Sequence, residues 1–166
     1  MAIISTGDEI AGLGEKIRFN QVRDVNAYAL CAEVTKYGAA PQYLGIARDN
    51  HRDTRDIFLR ALKSDVIIST GGVSMGRYDF VGENLAGLKI EVLFDRVNVK
   101  PGSHLTFGRK GKKLFFSLPG KPVQTLTSFM EFVRPALLKM MGANLINKPV
   151  VNAILEEDVA RRPGRA

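Results

Sequence analysis

Apolar positions along this chain follow two alternating rhythms. Ala2–Thr6 (AIIST) is a short β-branched run, and Val66–Ser69 (VIIS) is a second run of the kind buried on both faces of a parallel sheet. Ala27, Leu30, Val34 and Tyr37 recur instead at helical spacing, with Asp24 placed as a cap and Gly38 as a stop. Gln42–Ile46 predicts a strand, and Asp53 or Thr54 is placed to cap a helix carrying Ile57, Phe58, Ala61 and Leu62. Asp79 opens a predicted helix to about Leu88, and Ile90–Val99 predicts a longer strand. Leu105–Phe107 and Leu114–Leu118 flank the turn Gly108–Lys112 as a hairpin. A long helix is expected from Pro122 to about Met141. Proline suits its first turn, whereas Pro135 should kink or interrupt it. Val150–Leu155 predicts the start of one more strand.

Strand and helix signals that alternate in this way predict an α/β fold: a three-layer α/β/α sandwich on a mostly parallel sheet, with a basic β-hairpin. The expected division is one α/β domain over 1–147, with 148–166 as the beginning of a small C-terminal β domain. The 166 residues suffice for a substantial core, and 45% hydrophobic with 25% charged content is that of a soluble globule. No run is long enough to span a bilayer, and the chain opens directly in a strand rather than in a basic leader. Cys31, the one cysteine, excludes an internal disulfide framework. It is expected as a small apolar residue on a helix, in a reducing, cytoplasmic setting.

Charge changes the picture in one place. The chain carries a net +7, and the segment Arg96–Met130 holds seven Lys/Arg (Arg96, Lys100, Arg109, Lys110, Lys112, Lys113, Lys121) and no acid. The remainder is neutral, so the excess is local and suits an anionic partner. A nucleic acid is disfavoured because no basic–aromatic recognition motif accompanies the charge.

Ligands of open α/β sheets bind beyond the carboxyl ends of the strands. Three segments stand there: Ser5-Thr6-Gly7-Asp8-Glu9, Arg48-Asp49-Asn50 and Thr70-Gly71-Gly72-Val73-Ser74-Met75-Gly76-Arg77-Tyr78-Asp79. Parallel strands would bring Asp8 or Glu9, Asp49 and Asp79 to one edge, where carboxylates over an anion cradle suit a hydrated Mg2+ shared with a phosphate. Taken singly, each acid also fits a helix cap or a turn. Gly71 and Gly72 let main-chain N–H groups approach an anion, and Ser74 adds a hydroxyl. Two stiff Pro-Gly bends, Lys100-Pro101-Gly102-Ser103-His104 and Leu118-Pro119-Gly120-Lys121-Pro122, rise from the basic segment. Arg96 and Lys100 are expected on one face of a strand, where paired cations call for an anion; a solvated basic edge strand explains them equally well.

Gly72–Gly76 also fits the G-x-S-x-G elbow of hydrolases, and Ser74, Asp95 and His104 follow the matching chain order. Few strands precede this elbow, and a cationic segment disfavours the imidazolium that a triad needs. A triad would also leave Gly71, Asp49, Asp79 and Lys100 without a role.

Together, STGDE (Ser5–Glu9), the Asn26 helix, GIARDN (Gly45–Asn50), STGGVSMGRYDF (Ser69–Phe80), VNVKPG (Val97–Gly102) and LPGKPV (Leu118–Val123) resemble the molybdopterin molybdenumtransferase family, relatives of the C-terminal domain of gephyrin. The resemblance covers residues 1 to about 145. It implies insertion of molybdate into adenylylated molybdopterin with release of AMP and use of Mg2+. It also implies a homo-oligomer, a dimer in the full-length protein, and an active site containing Glu9, Asp49, Asp79, Arg96 and Lys100. Asp49 and Asp79 would hold the metal. Thr6, Gly7, Asp8, Gly71, Gly72, Ser74, Gly76, Pro101, Gly102, Ser103, Pro119, Gly120, Lys121 and Pro122 would bind substrate. The sequence departs from the family in two places: the usual KPGKP is KPGSH, and LPGNPVS is LPGKPVQ. The family's large N-terminal region before STGDE is absent, so the resemblance implies a fragment that is weak or inactive alone. Two other readings are a molybdopterin-binding or scaffold domain without catalysis, and a molybdopterin adenylyltransferase. The latter typically carries a GGTG-type loop instead.

Overall fold

A computed structural model describes residues 1–72, 80–154 and 156–158 of the chain. In chain order its strands are β1 (Ala2–Thr6), β2 (Ile10–Ala11), β3 (Val22–Arg23), β4 (Gln42–Ala47), β5 (Val66–Thr70), β6 (Glu91–Phe94), β7 (Thr106–Lys110) and β8 (Lys113–Leu118). Its helices are α1 (Asn26–Lys36), α2 (His51–Ala61), α3 (Phe80–Gly87), α4 (Pro122–Ser128) and α5 (Arg134–Met140), the last two joined by a π-turn over Phe129–Val133.

The main sheet has the order β4-β1-β5-β8-β7-β6. The strands β4, β1, β5 and β8 run parallel, and β7 and β6 add an antiparallel edge. Alternation along each central strand feeds two cores. Ala2 and Ile4 of β1, Ile67 of β5 and Phe115 of β8 pack with Ile57 and Phe58 of α2 and Leu85 of α3. Ile3, Ile68 and Phe116 point the other way, onto Leu30 and Val34 of α1 and Phe129 and Val133 of the π-turn. Burial of each such side chain stabilises the fold by about 1.5–3 kcal/mol. The result is the expected α/β sandwich, a sheet between two helical layers. Among the described residues, no helix is long and apolar enough to cross a membrane.

Local chemistry moves several boundaries from where periodicity puts them. Helix α2 starts at His51 because Asn50 caps it, its side chain accepting the Asp53 N–H; neither Asp53 nor Thr54 is the cap. Strand β6 ends at Phe94, after a register shift between Val92 and Phe94. Beyond it Val97 N–H donates to Ser103 O at 3.0 Å, closing a loop over Pro101 and Gly102. Lys100 therefore sits in that loop and Arg96 just before it, beyond the end of β6, so the two do not share a strand face. The hairpin turn is only Gly111-Lys112, since β7 extends through Gly108 to Lys110. Gly108 belongs in the strand for steric reasons: a β-carbon there would lie 2.8 Å from the Glu91 carbonyl of β6. The α-helix is interrupted just before Pro135, as expected, by the π-turn over Phe129–Val133 that separates α4 from α5. A proline ring clashes with the carbonyl four residues back, and the wide turn just before it, in which Arg134 N–H bonds Phe129 O, relieves that crowding. Val150–Ile154 forms no strand and is exposed, pairing with no strand among the described residues.

Cys31 lies half-buried on α1, packed against the second core, and burial pushes its thiol up, with Asp24 adding to the shift. It should be alkylated by iodoacetamide at pH 8 more slowly in the native chain than in urea; equal rates would contradict this packing. Phe115 meets Phe58 edge-on, ring centroids 5.6 Å apart, at the centre of the first core. Phe115→Ala is expected to lower unfolding stability by about 3–5 kcal/mol, read from the urea midpoint, and an effect below ~1 kcal/mol would contradict the assignment.

Candidate functional site

The carboxyl ends of β1, β5 and β8 open on one edge of the sheet, and the chain leaves them through Gly7, Gly71 and Gly120. These exits touch backbone to backbone. Gly71 has φ +87°, and a β-carbon on it would lie 2.5 Å from the Thr6 carbonyl oxygen. A β-carbon on Gly120 would come within 3.4 Å of Gly71 Cα. Hydrogen bonds hold the contact. Gly71 N–H donates to Leu118 O at 3.1 Å, and Thr6 Oγ1 donates to Thr70 O at 3.1 Å. On the far side, Thr125 Oγ1 donates to the carbonyls of Pro119 and Lys121, fixing the bend that begins α4.

Asn26, the first residue of α1, ties this edge together. Its Nδ2 donates to Gly120 O at 2.8 Å and lies 3.4 Å from Thr70 Oγ1. Asn26 is in turn set by Asp24, a buried carboxylate whose Oδ1 accepts the Ala27 N–H at 3.1 Å and whose Oδ2 accepts the Tyr43 hydroxyl at 2.7 Å. Burial, with the bond to Asp24, pushes the Tyr43 phenol well above its ordinary range, so it stays a donor. Val25, not Asp24, directly precedes α1; Asp24 one residue earlier fastens the first turn through the Ala27 N–H and registers the helix on β4.

A recess of about 550 Å3 lies over these contacts. Thr6, Glu9, Gly71, Gly72, Pro119, Gly120 and Lys121 line it together, as do Asn26, Thr70, His104 and Gln124. A second recess of about 340 Å3 adjoins it, walled by Lys100, Pro101, Gly102 and Ser103 and again by His104 and Gln124. Gly102 has φ +115°, and a β-carbon there would press within 2.9 Å of Ser128 Oγ, so this bend too lies directly on α4. The two Pro-Gly bends of the basic segment therefore face one another across α4's first turn.

The acids divide. Glu9 lines the larger recess, its carboxylate folded against Gly7, where a β-carbon would lie 2.4 Å from Oε2. Asp8 and Asp49 face each other outside it: Asp8 N–H donates to Asp49 Oδ2 at 3.3 Å, and Asp49 N–H donates to Asp8 Oδ1 at 3.2 Å. The first two strand-end loops thus converge. Asp8 also borders a broad polar cleft with Lys16, Arg18 and Arg48. Arg48 Nη1 donates to Ile10 O at 2.9 Å, and Arg23 Nη1 donates to the carbonyls of Gly12 and Glu15, pinning the loop between β2 and β3. Arg96, Asp49 and Pro122 do not line either recess. Ser74, Gly76 and Asp79 lie outside the described residues, and with them the proposed triad serine. Among the described residues, no group of three or more His, Cys, Asp or Glu side chains is arranged to hold a metal ion.

Sequence reasoning gave Asn26 no ligand role and His104 only a hydrolase one. A carboxamide at the first position of a helix beside a strand-end site was the available signal for Asn26. Ile10 and Val22, which complete the wall of the larger recess, belong to a parallel pairing of two residues a strand, too short for any periodicity to show.

Residues 2–139 match the family described as the probable molybdopterin binding domain. The chain is 35% identical over 169 residues to a molybdopterin molybdenumtransferase from a Nostoc species, covering 99% of this chain and 39% of that one. A Staphylococcus aureus protein of the same name is 32% identical over 162 residues, covering 97% and 39%. This chain thus spans well under half the length of these curated relatives. The solved structure of a molybdopterin biosynthesis MoeA protein from Pyrococcus horikoshii superposes with TM-score 0.77 at 32% identity, over 85% of this chain and 35% of that one. A CinA protein from Thermoplasma acidophilum, at 19% identity and TM-score 0.62, shares the fold. The glycine-walled recess at the ends of β1, β5 and β8 falls wholly within the matched residues, and the chain belongs to the probable molybdopterin binding domain family.

Proposed function

We propose that this chain is the pterin-binding part of a molybdopterin molybdenumtransferase, acting on adenylylated molybdopterin and molybdate with release of AMP. One observation carries the reading: Thr6, Gly71 and Gly120 meet in backbone contact beneath a recess that also holds Glu9 and Lys121, next to a second recess holding Lys100. Small residues bring main-chain donors to a phosphate, and the lysines supply compensating charge. Within this reading Gly71, Gly72 and the bend at Pro119–Pro122 hold the pterin phosphate. Lys100, in the bend Pro101–Ser103, attracts the molybdate oxyanion together with Arg96, and Glu9 stands at the mouth. Thr6 lines the larger recess beside them, and Gly7 follows it at the end of β1; Ser74 and Gly76 are assigned to the same substrate on the family resemblance alone.

Mg2+ fits the donor chemistry at the neighbouring loops. The Asp8–Asp49 pair presents hard carboxylate oxygens, and Mg2+ is commonly held by one or two carboxylates plus substrate phosphates. Asp49 and Asp79 would hold the ion, which when bound neutralises developing charge on a phosphoanhydride. We further assign 1–147 to the pterin-binding domain and 148–166 to the beginning of the next one. We also propose a cytoplasmic homo-oligomer, a reading supported by the unpaired Cys31 and by exposed Leu13, Phe19 and Val25. The basic hairpin does not favour nucleic acid. Arg109 is hydrogen-bonded to Glu91 at 2.8 Å, which raises its pKa, and Lys110 and Lys113 donate to the carbonyls of Leu88 and Ser64.

In the full-length protein, Asp49→Ala combined with Asp79→Ala should reduce molybdate-stimulated AMP release by about 10²-fold or more while leaving pterin binding measurable. Normal turnover would contradict the assigned roles, and loss of release with full binding in the unmutated protein would favour a binding-only domain. Chelation by EDTA should stop release and added Mg2+ restore it; release unaffected by chelation would remove the metal from the scheme. Gly71→Ala places a β-carbon against the Thr6 carbonyl and is expected to abolish ligand retention in equilibrium dialysis. Undiminished retention would show that the ligand sits elsewhere.

A further inference from the structure

Asp24 is only 2% exposed, and no step of the proposed reaction uses its carboxylate. Fastening a first helical turn does not call for it either. Asparagine or serine serves there as well, without taking a charge out of water. What the carboxylate adds is reach. The Asp24 N–H donates to Ala11 O of β2 at 2.9 Å, Oδ1 accepts the Ala27 N–H of α1, and Oδ2 accepts the Tyr43 hydroxyl of β4. One buried residue thus joins three elements that share no strand ladder.

Two of these elements wall the larger recess. Ile10 of β2 and Asn26 of α1 both line it. So does Val22 of β3, whose N–H donates to Glu9 O at 2.8 Å and holds the short ribbon to the end of β1. The third element lies apart. Strand β4 is an edge of the main sheet, and neither Tyr43 nor Asp24 lines either recess. The Tyr43 ring stands against Tyr28 in the first turn of α1, centroids 5.7 Å apart. A hydroxyl bonded to a carboxylate makes a shorter and stronger bond than one between neutral groups, as the 2.7 Å from Tyr43 to Asp24 reflects. Movement of α1 against β4 would draw Asn26 Nδ2 from Gly120 O, now 2.8 Å away, and release the exit that lies on Gly71.

We propose that Asp24 and Tyr43 are positioning residues for the larger recess. They touch no ligand. The bond between them sets where α1 begins, and Asn26 passes that setting to the Gly120 exit. The inference rests on the proposed reading of this recess as the seat of the pterin ligand.

The test uses the intact chain in equilibrium dialysis against molybdopterin. Tyr43→Phe keeps the ring beside Tyr28 and removes only the hydroxyl. Tyr37→Phe is the control, since it removes the same group at the far end of α1, where the hydroxyl meets Met130 Sδ at 3.8 Å. Tyr43→Phe should weaken the Kd by about tenfold, and Tyr37→Phe by no more than about twofold. Asp24→Asn can still accept from Ala27 and donate to Tyr43, so it should bind within about threefold of the unmutated chain, whereas Asp24→Ala should not. In NMR spectra without ligand, Tyr43→Phe should shift the Asn26 side-chain amide signals and Tyr37→Phe should leave them in place. Unweakened binding by Tyr43→Phe, equal weakening by Tyr37→Phe, or unmoved Asn26 signals would overturn this inference and leave the reading of the recess standing. Asp24→Asn no better than Asp24→Ala would do the same. No retention by the unmutated chain would overturn that reading and this inference with it. Should Asp24→Ala fail to fold, the two tyrosine variants still decide the matter.

Discussion

Three main chains pressed together at the ends of β1, β5 and β8 determine what this molecule can do. No side chain fits between Thr6 and Gly71, and Gly120 lies close against Gly71 in turn. Backbone groups, rather than side chains, therefore make the floor of the recess, and they can come near a ligand that side chains would keep away. Such contact is maintained only if the strand ends are held in register. The parallel ladder from β4 through β8 does this from within the sheet, and Asn26 does it from outside by bonding Gly120 O and reaching Thr70. Asn26 itself depends on Asp24 and Tyr43, which fasten α1 to β4. A chain of short contacts thus runs from the sheet's far edge to the site.

The basic segment divides its labour in a way that composition conceals. Arg109, Lys110 and Lys113, near the hairpin turn, are committed to Glu91 and to main-chain carbonyls, and they stitch the antiparallel edge to the rest of the fold. Lys100 and Lys121 reach the two recesses instead. One run of like charge is therefore divided between an exposed sheet edge and the lining of the two recesses. The carboxylates are set apart by the same economy of placement, Glu9 toward the recess and Asp8 with Asp49 beside it.

Much of this was legible from residue types. Short β-branched runs gave β1 and β5, whose near-continuous burial in a parallel sheet leaves little room for ambiguity. Paired small residues after an apolar run marked the recess, because a close backbone approach excludes a β-carbon whatever the rest of the fold does. Illegible were features decided by partners distant in sequence. The end of β6 depends on how Val97 closes upon Ser103, and the strand position of Gly108 on the Glu91 carbonyl. The shift of the α2 cap to Asn50 is a local competition between neighbouring polar residues that spacing alone does not resolve. Pro135 was legible: the α-helix is interrupted just before it, and the interruption takes the form of a π-turn. Asn26 was the instructive omission, since its role appears only when Thr70 and Gly120 are brought beside it.

The account stands or falls on what occupies the recess above Gly71 and Gly120. The most direct measurement is a crystal structure of this chain soaked with AMP and molybdate. It should show an anionic group in the recess, within hydrogen-bonding distance of Lys121 or of main-chain groups of Gly72 and Gly120. Well-ordered ligand bound elsewhere, with that recess filled only by water, would contradict it.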